Sequence, residues 1–443
     1  MKIIIVGAGE VGSHLAKLLS KENQDVILVD SNESKLSNLD SYNLMTFVGS
    51  PTSFKTLKSV NIDQPYLFIA VTPYETQNIS ACSMAHWLGA KYTVARIDNY
   101  EYLKPQGKAF FKSIGVDELI YPELLAAEEI KTALKWTWVR NWFEMYDGEI
   151  IVIGVKVRDN ARLTGMHLKD LASLSSYFHI SAIKRNQETI IPRGDDYIKS
   201  NDILYFATTK NYVDNIRELC GKKSVDVKRV LIMGGSRIAI QLAKISEGQY
   251  KFKIIESNRE KSIYLAERLP EANIVNGDGR DIDLLNVEGI NDYDAFIALP
   301  DSSEANILGC LTAKEMGVAK TIAEVETIQF INEAENLNIG TIVNKKLLSS
   351  SKIFQILLDS DTSNSKCLAL ADAEVAELVV KPKSKITKGM VKDLNLSRDM
   401  TIAGLIRDGK GMLVNGNTTI LPGDHVVIFC LDGAIHKVEK LFS

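Results

Sequence analysis

Short apolar runs alternate with amphipathic stretches along residues 1–135. Five runs have the length and the β-branched content of strands: KIIIV, DVILVD, MTFVG, YLFIAVT and YTVARI. Three longer segments place apolar residues at helical spacing: EVGSHLAKLLSK, ETQNISACSMAHWLG and PELLAAEEIKTALK. Strands that alternate with helices in this way predict a doubly wound parallel sheet.

The pattern changes between about residues 143 and 220. Four strand-like runs follow one another with little helix between them: EIIVIGVKV, ISAIKRN, TIIPRG and DILYFAT. This segment therefore predicts a small α+β module attached to the parallel sheet.

The same succession of patterns occurs twice along the chain. Ordered matches at offsets of 222 to 228 residues include Gly7 with Gly234, Asp30 with Glu256, Asn78 with Asn306, Cys82 with Cys310, and Asp202 with Asp424. So many matches in one order indicate an internal duplication. We predict two Rossmann-like doubly wound parallel sheets, each followed by a small α+β lobe, in domains spanning residues 1–136, 140–222, 228–350 and 366–443. The polar stretch 359–366 is a predicted linker.

Composition excludes several function classes. A formal net charge of -4 over 443 residues gives no general attraction to nucleic acid. The five cysteines are scattered without a CxxC pair, which argues against a disulfide framework or a zinc site. No apolar run approaches the ~18 residues that cross a bilayer, so we expect a soluble chain.

The stretch VGAGEVG carries the first candidate site. Gly7, Gly9 and Gly12 have the G-x-G-x-x-G spacing between a predicted strand and a predicted helix, which is typical of dinucleotide binding. Asp30 closes the second strand, 18 residues after Gly12, where a carboxylate can accept ribose hydroxyls. The Asp30 carboxylate would repel the 2′-phosphate of NADP, and no arginine that could bind this phosphate follows directly in DSNESK. NAD(H) is therefore favoured over NADP. ATP or ADP remain open, as does a glycine turn that binds nothing.

The matching loop of the second half, Gly234, Gly235, Ser236 and Arg237, has lost two of these glycines. A serine stands where the backbone should approach phosphate, and Glu256 keeps the acid. This pattern predicts a weakened or altered second site.

A dehydrogenase also needs an acid or base beside the nicotinamide. None of the six histidines lies in a recognisable catalytic pattern, and no P-loop, HExxH or Tyr-x-x-x-Lys pair is present. Ligand sensing is therefore favoured over catalysis, with an NAD-dependent oxidoreductase as the alternative.

Several longer stretches support a resemblance that covers nearly the whole chain, among them KIIIVGAGEVGSHLAKLL, ARIDNYEY, GVDELIYPELLAAEEI and LTGMHLKDL with its counterpart ITKGMVKDL. The sequence resembles the family of peripheral NAD-binding regulatory subunits of bacterial Trk potassium-uptake systems, the TrkA family, which are tandem RCK (regulator of potassium conductance) modules. The nucleotide contacts that the resemblance implies are Gly7, Ala8, Gly9, Glu10, Val11, Asp30, Ser50, Thr72 and Arg96. In the second half Glu324 takes the place of Arg96.

The resemblance also implies partners. It predicts a cytoplasmic protein, peripheral on the inner face of the cell membrane, that forms a homo-oligomeric ring of two or four chains under an integral membrane potassium-translocating subunit. Trp136, Trp138 and Trp142 lie between the predicted lobes. The sequence leaves open whether they form a hinge or a subunit contact, or pack in the core against a terminal helix.

Overall fold

The computed structural model describes residues 2–21, 24–39, 42–60, 66–174, 176–186, 188–360, 366–370, 373–431 and 434–442. Its contacts divide the chain into two compact units. The first contains Met1–Ala126 and Asn344–Leu357, and the second contains Ala127–Val343 and Leu358–Ser443. In the described ranges no helix is both long and apolar enough to cross a bilayer.

The first unit is built on a six-stranded sheet with the order β3-β2-β1-β4-β5-β6, in which every neighbouring pair is parallel. Its strands are β1 (Lys2–Val6), β2 (Asp25–Asp30), β3 (Met45–Val48), β4 (Leu67–Ala70), β5 (Tyr92–Arg96) and β6 (Glu118–Ile120). The helices that alternate with them are α1 (Glu10–Lys21), α2 (Glu33–Leu36), α3 (Phe54–Ser59), α4 (Glu75–Trp87), α5 (Pro105–Ser113) and α6 (Pro122–Lys135). The strand order reverses between β1 and β4, and ligands of such sheets bind at this switch point.

Local chemistry explains these elements. All four residues of β4 are buried, as expected for a strand covered on both faces. Ser53 caps α3 by accepting a hydrogen bond from the Thr56 amide, and Pro105 occupies the first turn of α5, where its missing N–H costs nothing.

The second unit begins with a five-stranded antiparallel sheet of order β10-β9-β11-β8-β7. Its elements are β7 (Asn141–Met145), β8 (Ile150–Lys156), β9 (Phe178–Arg185), β10 (Glu188–Ile190), β11 (Ile203–Thr208) and the helix α7 (Val213–Leu219). We refer to it as the first antiparallel sheet.

A second parallel sheet follows, with the order β14-β13-β12-β15-β16-β17, which repeats that of the first unit. Its strands are β12 (Arg229–Met233), β13 (Lys251–Glu256), β14 (Asn273–Asn276), β15 (Ala295–Ala298), β16 (Lys320–Glu324) and β17 (Thr341–Val343). Its helices are α8 (Arg237–Ile245), α9 (Arg259–Arg268), α10 (Ile282–Val287), α11 (Ser303–Glu315), α12 (Gln329–Asn336) and α13 (Lys345–Ser360). The chain passes between the two units inside α6, directly after β17, and near the end of α13.

The chain ends in a second antiparallel sheet of order β18-β19-β22-β20-β21. It comprises β18 (Lys366–Leu370), β19 (Ala373–Val379), β20 (Met400–Arg407), β21 (Lys410–Leu413), β22 (His425–Leu431) and the helix α14 (Ile435–Phe442). Side chains of both antiparallel sheets, including Val152, Tyr205, Val427 and Phe429, form one buried cluster.

The duplication extends to a single ion pair. Arg185 donates from Nε and from an Nη atom to the two carboxylate oxygens of Asp202, at 2.9 and 2.7 Å. Arg407 and Asp424 make the same two contacts at the same distances. Each arginine also donates to a backbone carbonyl, that of Tyr197 or Thr419. Bidentate pairs of this kind fix side-chain geometry strongly.

The predicted fold class is confirmed, and the predicted extents of α1 and α6 agree with the structure. The sequence pattern missed β7 and α7. The predicted linker 359–366 falls largely on residues 361–365, which lie outside the described residues. The tryptophans support the core alternative: Trp138 and Trp142 are buried beside the first antiparallel sheet, and Trp136 stacks on Trp142 at 4.1 Å.

Candidate functional site

The glycines of the first loop differ in what surrounds them. Gly7 has φ +103°, and a Cβ there would lie 2.9 Å from the Thr72 amide nitrogen. A Cβ on Gly12 would lie within van der Waals radii of the Gly7 carbonyl oxygen. Around Gly9, by contrast, a Cβ would meet no described atom within 4 Å. Gly7 and Gly12 are therefore required by packing, whereas Gly9 borders open space at the beginning of α1.

Asp30 ties this loop to the end of β2. Its Oδ2 accepts a hydrogen bond from the Ala8 amide at 2.7 Å, and its Oδ1 accepts one from the Asn32 amide at 2.8 Å. The residue is 9% exposed. Each carboxylate oxygen has two acceptor positions, so one on each remains for ribose hydroxyls.

The ends of β4 and β5 are joined by Asn78 of α4. Its Oδ1 accepts from both the amide and the hydroxyl of Thr72, at 2.9 and 2.7 Å. Its Nδ2 donates to the carbonyls of Thr72 and Arg96, each at 2.9 Å. The side chain is fully buried, so these four bonds hold the two strand ends in a fixed relation.

Arg96 follows on the same edge of the sheet. One Nη atom lies 3.5 Å from a carboxylate oxygen of Asp98, and within the described chain its buried Nε has no hydrogen-bond acceptor. An unpaired buried donor is costly unless a ligand supplies the acceptor. Glu75, in the first turn of α4, accepts hydrogen bonds from the amides of Asp98 and Asn99.

Most of the predicted first-half contacts gather at one edge. Gly7, Asp30, Ser50, Thr72 and Arg96 lie at or directly after the carboxyl ends of β1 to β5, which are neighbours in one parallel sheet. Ser50 is exposed, and its hydroxyl lies 3.3 Å from that of Thr52. Ala8, Glu10 and Val11 come with the loop and the first turn of α1.

One residue beside the loop was missed by the sequence analysis. Lys346, in the first turn of α13, places its Nζ 2.5 Å from Oε2 of Glu10. It is held by Asn344, whose side-chain oxygen accepts from the amides of Lys346 and Leu347 at 2.9 Å each. No short-range pattern connects two residues 336 positions apart.

The second loop is closed by its own side chains. Ser236 caps α8 by accepting from the Ala239 amide at 3.5 Å, so its hydroxyl takes the position that a phosphate oxygen would need. Gly235 stands where the first loop has Ala8, and a Cβ added to it would overlap a methyl group of Leu265, so Leu265 packs in the space of the Ala8 methyl group. Arg237 is exposed at the helix start.

Glu256 accepts from the amides of Gly235 and Asn258, each at 2.9 Å, and lies 3.1 Å from Nζ of Lys261. Burial raises the pKa of Glu256, but the two amide hydrogen bonds and Lys261 outweigh it, so the pKa lies below its ordinary value. The lysine therefore takes an acceptor position on Oε2 that a ribose hydroxyl would use.

Pro300 stands where the first half has Thr72. Because proline has no N–H and no hydroxyl, the described residues leave the buried Oδ1 of Asn306 without a donor. Its Nδ2 still donates to the carbonyls of Pro300 and Glu324, at 2.7 and 2.8 Å. The second half therefore keeps the strand connection and loses two of its four hydrogen bonds.

The buried cysteine thiols are poorly suited to act as nucleophiles. Cys82, Cys220, Cys310 and Cys430 are buried. Burial raises the pKa of Cys220 and of Cys310 to about 12, and it also raises the pKa of Cys82. At neutral pH these three groups are protonated, and the thiol is a poor nucleophile.

Comparison with known proteins gives one consistent family. The TrkA-N domain matches residues 3–122 and 230–345, and the TrkA-C domain matches residues 152–221 and 375–443. Trk system potassium uptake protein TrkA of Haemophilus influenzae is 31% identical over 452 residues, covering all of this chain and 99% of that protein. TrkA homolog 2 of Methanosarcina mazei is 30% identical over 453 residues and the match covers both chains completely.

Solved structures agree on the fold. The GsuK RCK domain superposes with a TM-score of 0.60 at 14% identity, covering all of this chain and 94% of that one. The GsuK channel bound to NAD gives the same TM-score and identity and is covered to 78%. At this level of identity the likeness supports the RCK architecture alone.

Proposed function

Since this chain belongs to the TrkA family, with two TrkA-N and two TrkA-C domains, we propose that it is a nucleotide-sensing regulatory subunit of a potassium uptake system. It binds NAD(H) at the first loop and gates a membrane potassium-translocating subunit. The curated relatives over the full chain are named as potassium uptake proteins, which supports the potassium part of the proposal.

The observation that carries nucleotide binding is the contrast between the two loops. The first leaves open space at Gly9, where α1 begins, whereas the second carries the Ser236 side chain at the matching position. Helix N-termini attract phosphate through unpaired N–H groups and the helix dipole. The unpaired Nε of Arg96 offers a further donor. These residues fit a pyrophosphate on the first half of the chain only.

The residues of the site favour a ligand with a ribose and linked phosphates. Asp30 accepts the ribose hydroxyls, and its charge disfavours a 2′-phosphate, so NAD(H) is preferred over NADP. Ser50 and Thr72 border the same edge of the sheet. ADP and ATP share the adenosine and phosphate groups that this site reads, and they are the competing ligands.

The ligand acts as a regulator. Occupancy shifts the balance between two states of the subunit only as far as it binds one of them more tightly, typically by ~1–3 kcal/mol. The subunit is cytoplasmic, lies on the inner face of the cell membrane and forms a homo-oligomeric ring of two or four chains.

Calorimetric titration of the purified full chain with NADH, NAD⁺, ADP and ATP tests the proposal directly. We expect one nucleotide per chain and loss of binding in Asp30→Ala, with Glu256→Ala as the matched control. Binding that is lost equally in both variants would contradict the assignment to the first loop. Potassium uptake is measured in cells that carry the membrane partner, with and without each variant.

The oxidoreductase alternative is tested by following NADH absorbance with carbonyl substrates. Turnover that depends on substrate and enzyme would replace the regulatory proposal.

A further inference from the structure

Five basic side chains of the second unit lie close enough to affect one another electrostatically: Arg140, Lys156, Arg158, Lys222 and Lys314. We refer to them as the basic cluster. They come from the start of β7, the end of β8, the segment after α7 and the end of α11. The cluster thus combines residues of the first antiparallel sheet with residues of the second parallel sheet.

Neutral acceptors hold two members of the cluster in place. An Nη atom of Arg140 donates to the side-chain oxygen of Asn338 at 3.4 Å, and Nζ of Lys314 donates to the backbone carbonyl of Asn338 at 2.6 Å. Asn338 lies in the turn between α12 and β17 and has φ +56°. Two cations therefore converge on one amide residue, and neither is neutralised by these contacts.

Little negative charge lies near the basic cluster. Among the described residues, Glu335 is the one carboxylate whose charge acts on Arg140 and Lys156. It is already paired, because Nζ of Lys184 lies 3.0 Å from its Oε2. Glu335 is therefore shared by three cations: Arg140, Lys156 and Lys184.

The mutual repulsion is visible in the pKa values. Burial, followed by the charges of Arg158 and Arg140, lowers the pKa of Lys222 to about 8. Burial and the same two arginines lower the pKa of Lys156 and of Lys314. Such strain is relieved when an anion binds, because an opposite charge favours the protonated form.

The duplicated sheet supplies an internal comparison. Ile203 of the first antiparallel sheet pairs with both Lys156 and Lys184, so the two lysines share a face about 10 Å apart. At the matching place in the second antiparallel sheet, His425 pairs with Val379 and Ile406. The fold therefore does not require cations at these positions.

We propose that the basic cluster is a binding site for a compact multivalent anion, a small ligand that carries two or more linked phosphate groups. Arg140, Lys156 and Lys222 are half-buried, whereas Arg158 and Lys314 are exposed. A compact anion reaches the half-buried groups, which an extended acidic peptide would contact less completely. Guanidinium and ammonium groups together are typical of phosphate sites. The site is separate from the first loop and does not depend on nucleotide binding there.

The probe is inorganic triphosphate, titrated calorimetrically into the full chain at fixed ionic strength. The test variant is the double substitution Arg158→Ala with Lys314→Ala, since both side chains are exposed and the fold should persist. The control is Lys388→Ala with Arg398→Ala, which removes the same charge from exposed positions elsewhere in the second unit. Circular dichroism checks that both remain folded.

We expect the dissociation constant for triphosphate to rise at least tenfold in the test variant and less than twofold in the control. Triphosphate is also a candidate ligand of the first loop, so both titrations are repeated in a Gly9→Val background, in which that loop is obstructed. The same difference between test and control variants is expected there.

Four outcomes overturn the proposal: no binding to the unmodified chain, equal weakening in test and control variants, no remaining difference between them in the Gly9→Val background, or cluster-dependent binding of a polyglutamate peptide in preference to triphosphate.

Discussion

The two carboxylates that close the second strand of each parallel sheet make the same backbone contacts and differ in what remains for a ligand. Asp30 and Glu256 each accept hydrogen bonds from two amides at 2.7 to 2.9 Å. In Asp30→Asn and Glu256→Gln the side chain keeps one oxygen, so one amide of each pair faces an NH₂ group. A hydrogen bond to a charged group contributes ~1.5–3 kcal/mol. We therefore expect both variants to lower the free energy of unfolding by about 2 kcal/mol.

Nucleotide affinity should separate the two variants. In the proposed complex Asp30 also accepts ribose hydroxyls, and weakening that contact costs a further ~1.5–3 kcal/mol, which corresponds to a roughly 10- to 150-fold higher dissociation constant for NADH. Glu256 is covered by Lys261, so Glu256→Gln should change the dissociation constant less than about twofold. Stability is measured by urea unfolding and affinity by calorimetry. The reasoning fails if Glu256→Gln weakens NADH binding as much as Asp30→Asn, or if neither variant loses affinity.

Four further substitutions test other parts of the structure. Gly9→Val should abolish NADH binding, measured by calorimetry, with little change in melting temperature. Gly12→Val should lower the melting temperature sharply in thermal unfolding, because its side chain would overlap the Gly7 carbonyl oxygen. Pro300→Thr should raise the free energy of unfolding by about 1 kcal/mol in urea, because it returns donors to the buried oxygen of Asn306, and a decrease would contradict the hydrogen-bond argument. Burial and then the charge of Arg193 lower the pKa of His179 to about 4. Between pH 6.5 and 4 the unfolded chain therefore binds more protons than the folded chain, so the free energy of unfolding decreases as the pH is lowered. His179→Gln should flatten this part of the melting-temperature profile.

The sequence predicted the fold well because its signals were local. Strands such as β1 and β4 are continuous apolar runs, and α1 follows a glycine loop, so period and turn chemistry agreed. β7 was missed because the tryptophan-rich segment 135–143 has no clear alternation and its end suggested a hinge. Its strand depends on pairing with β8, which is a tertiary effect.

The candidate site was predicted only in part. Its backbone positions follow from the glycine spacing and the strand ends, which the chain order reveals. The loss of donors at Pro300 could also have been read from the repeat, because proline stands opposite Thr72. The contact between Lys346 and Glu10 could not, since it joins positions whose proximity depends on the packing of α13.

The two halves share the residues that build their sheets and differ at the residues of the candidate ligand sites. The strand orders and the arginine–aspartate pair of each antiparallel sheet are the same in both halves, so both halves are built on the same framework. The loops differ at the residues that would touch phosphate, and the cations Lys156 and Lys184 occur in one antiparallel sheet only. A chain that needed two equivalent nucleotide sites would keep Gly9 and Thr72 in both copies. Instead, the first parallel sheet keeps the open loop, the second fills it with its own side chains, and the surplus positive charge collects beside the filled copy. Since these differences leave the strand order unchanged, they agree with the proposal that the two halves bind different ligands.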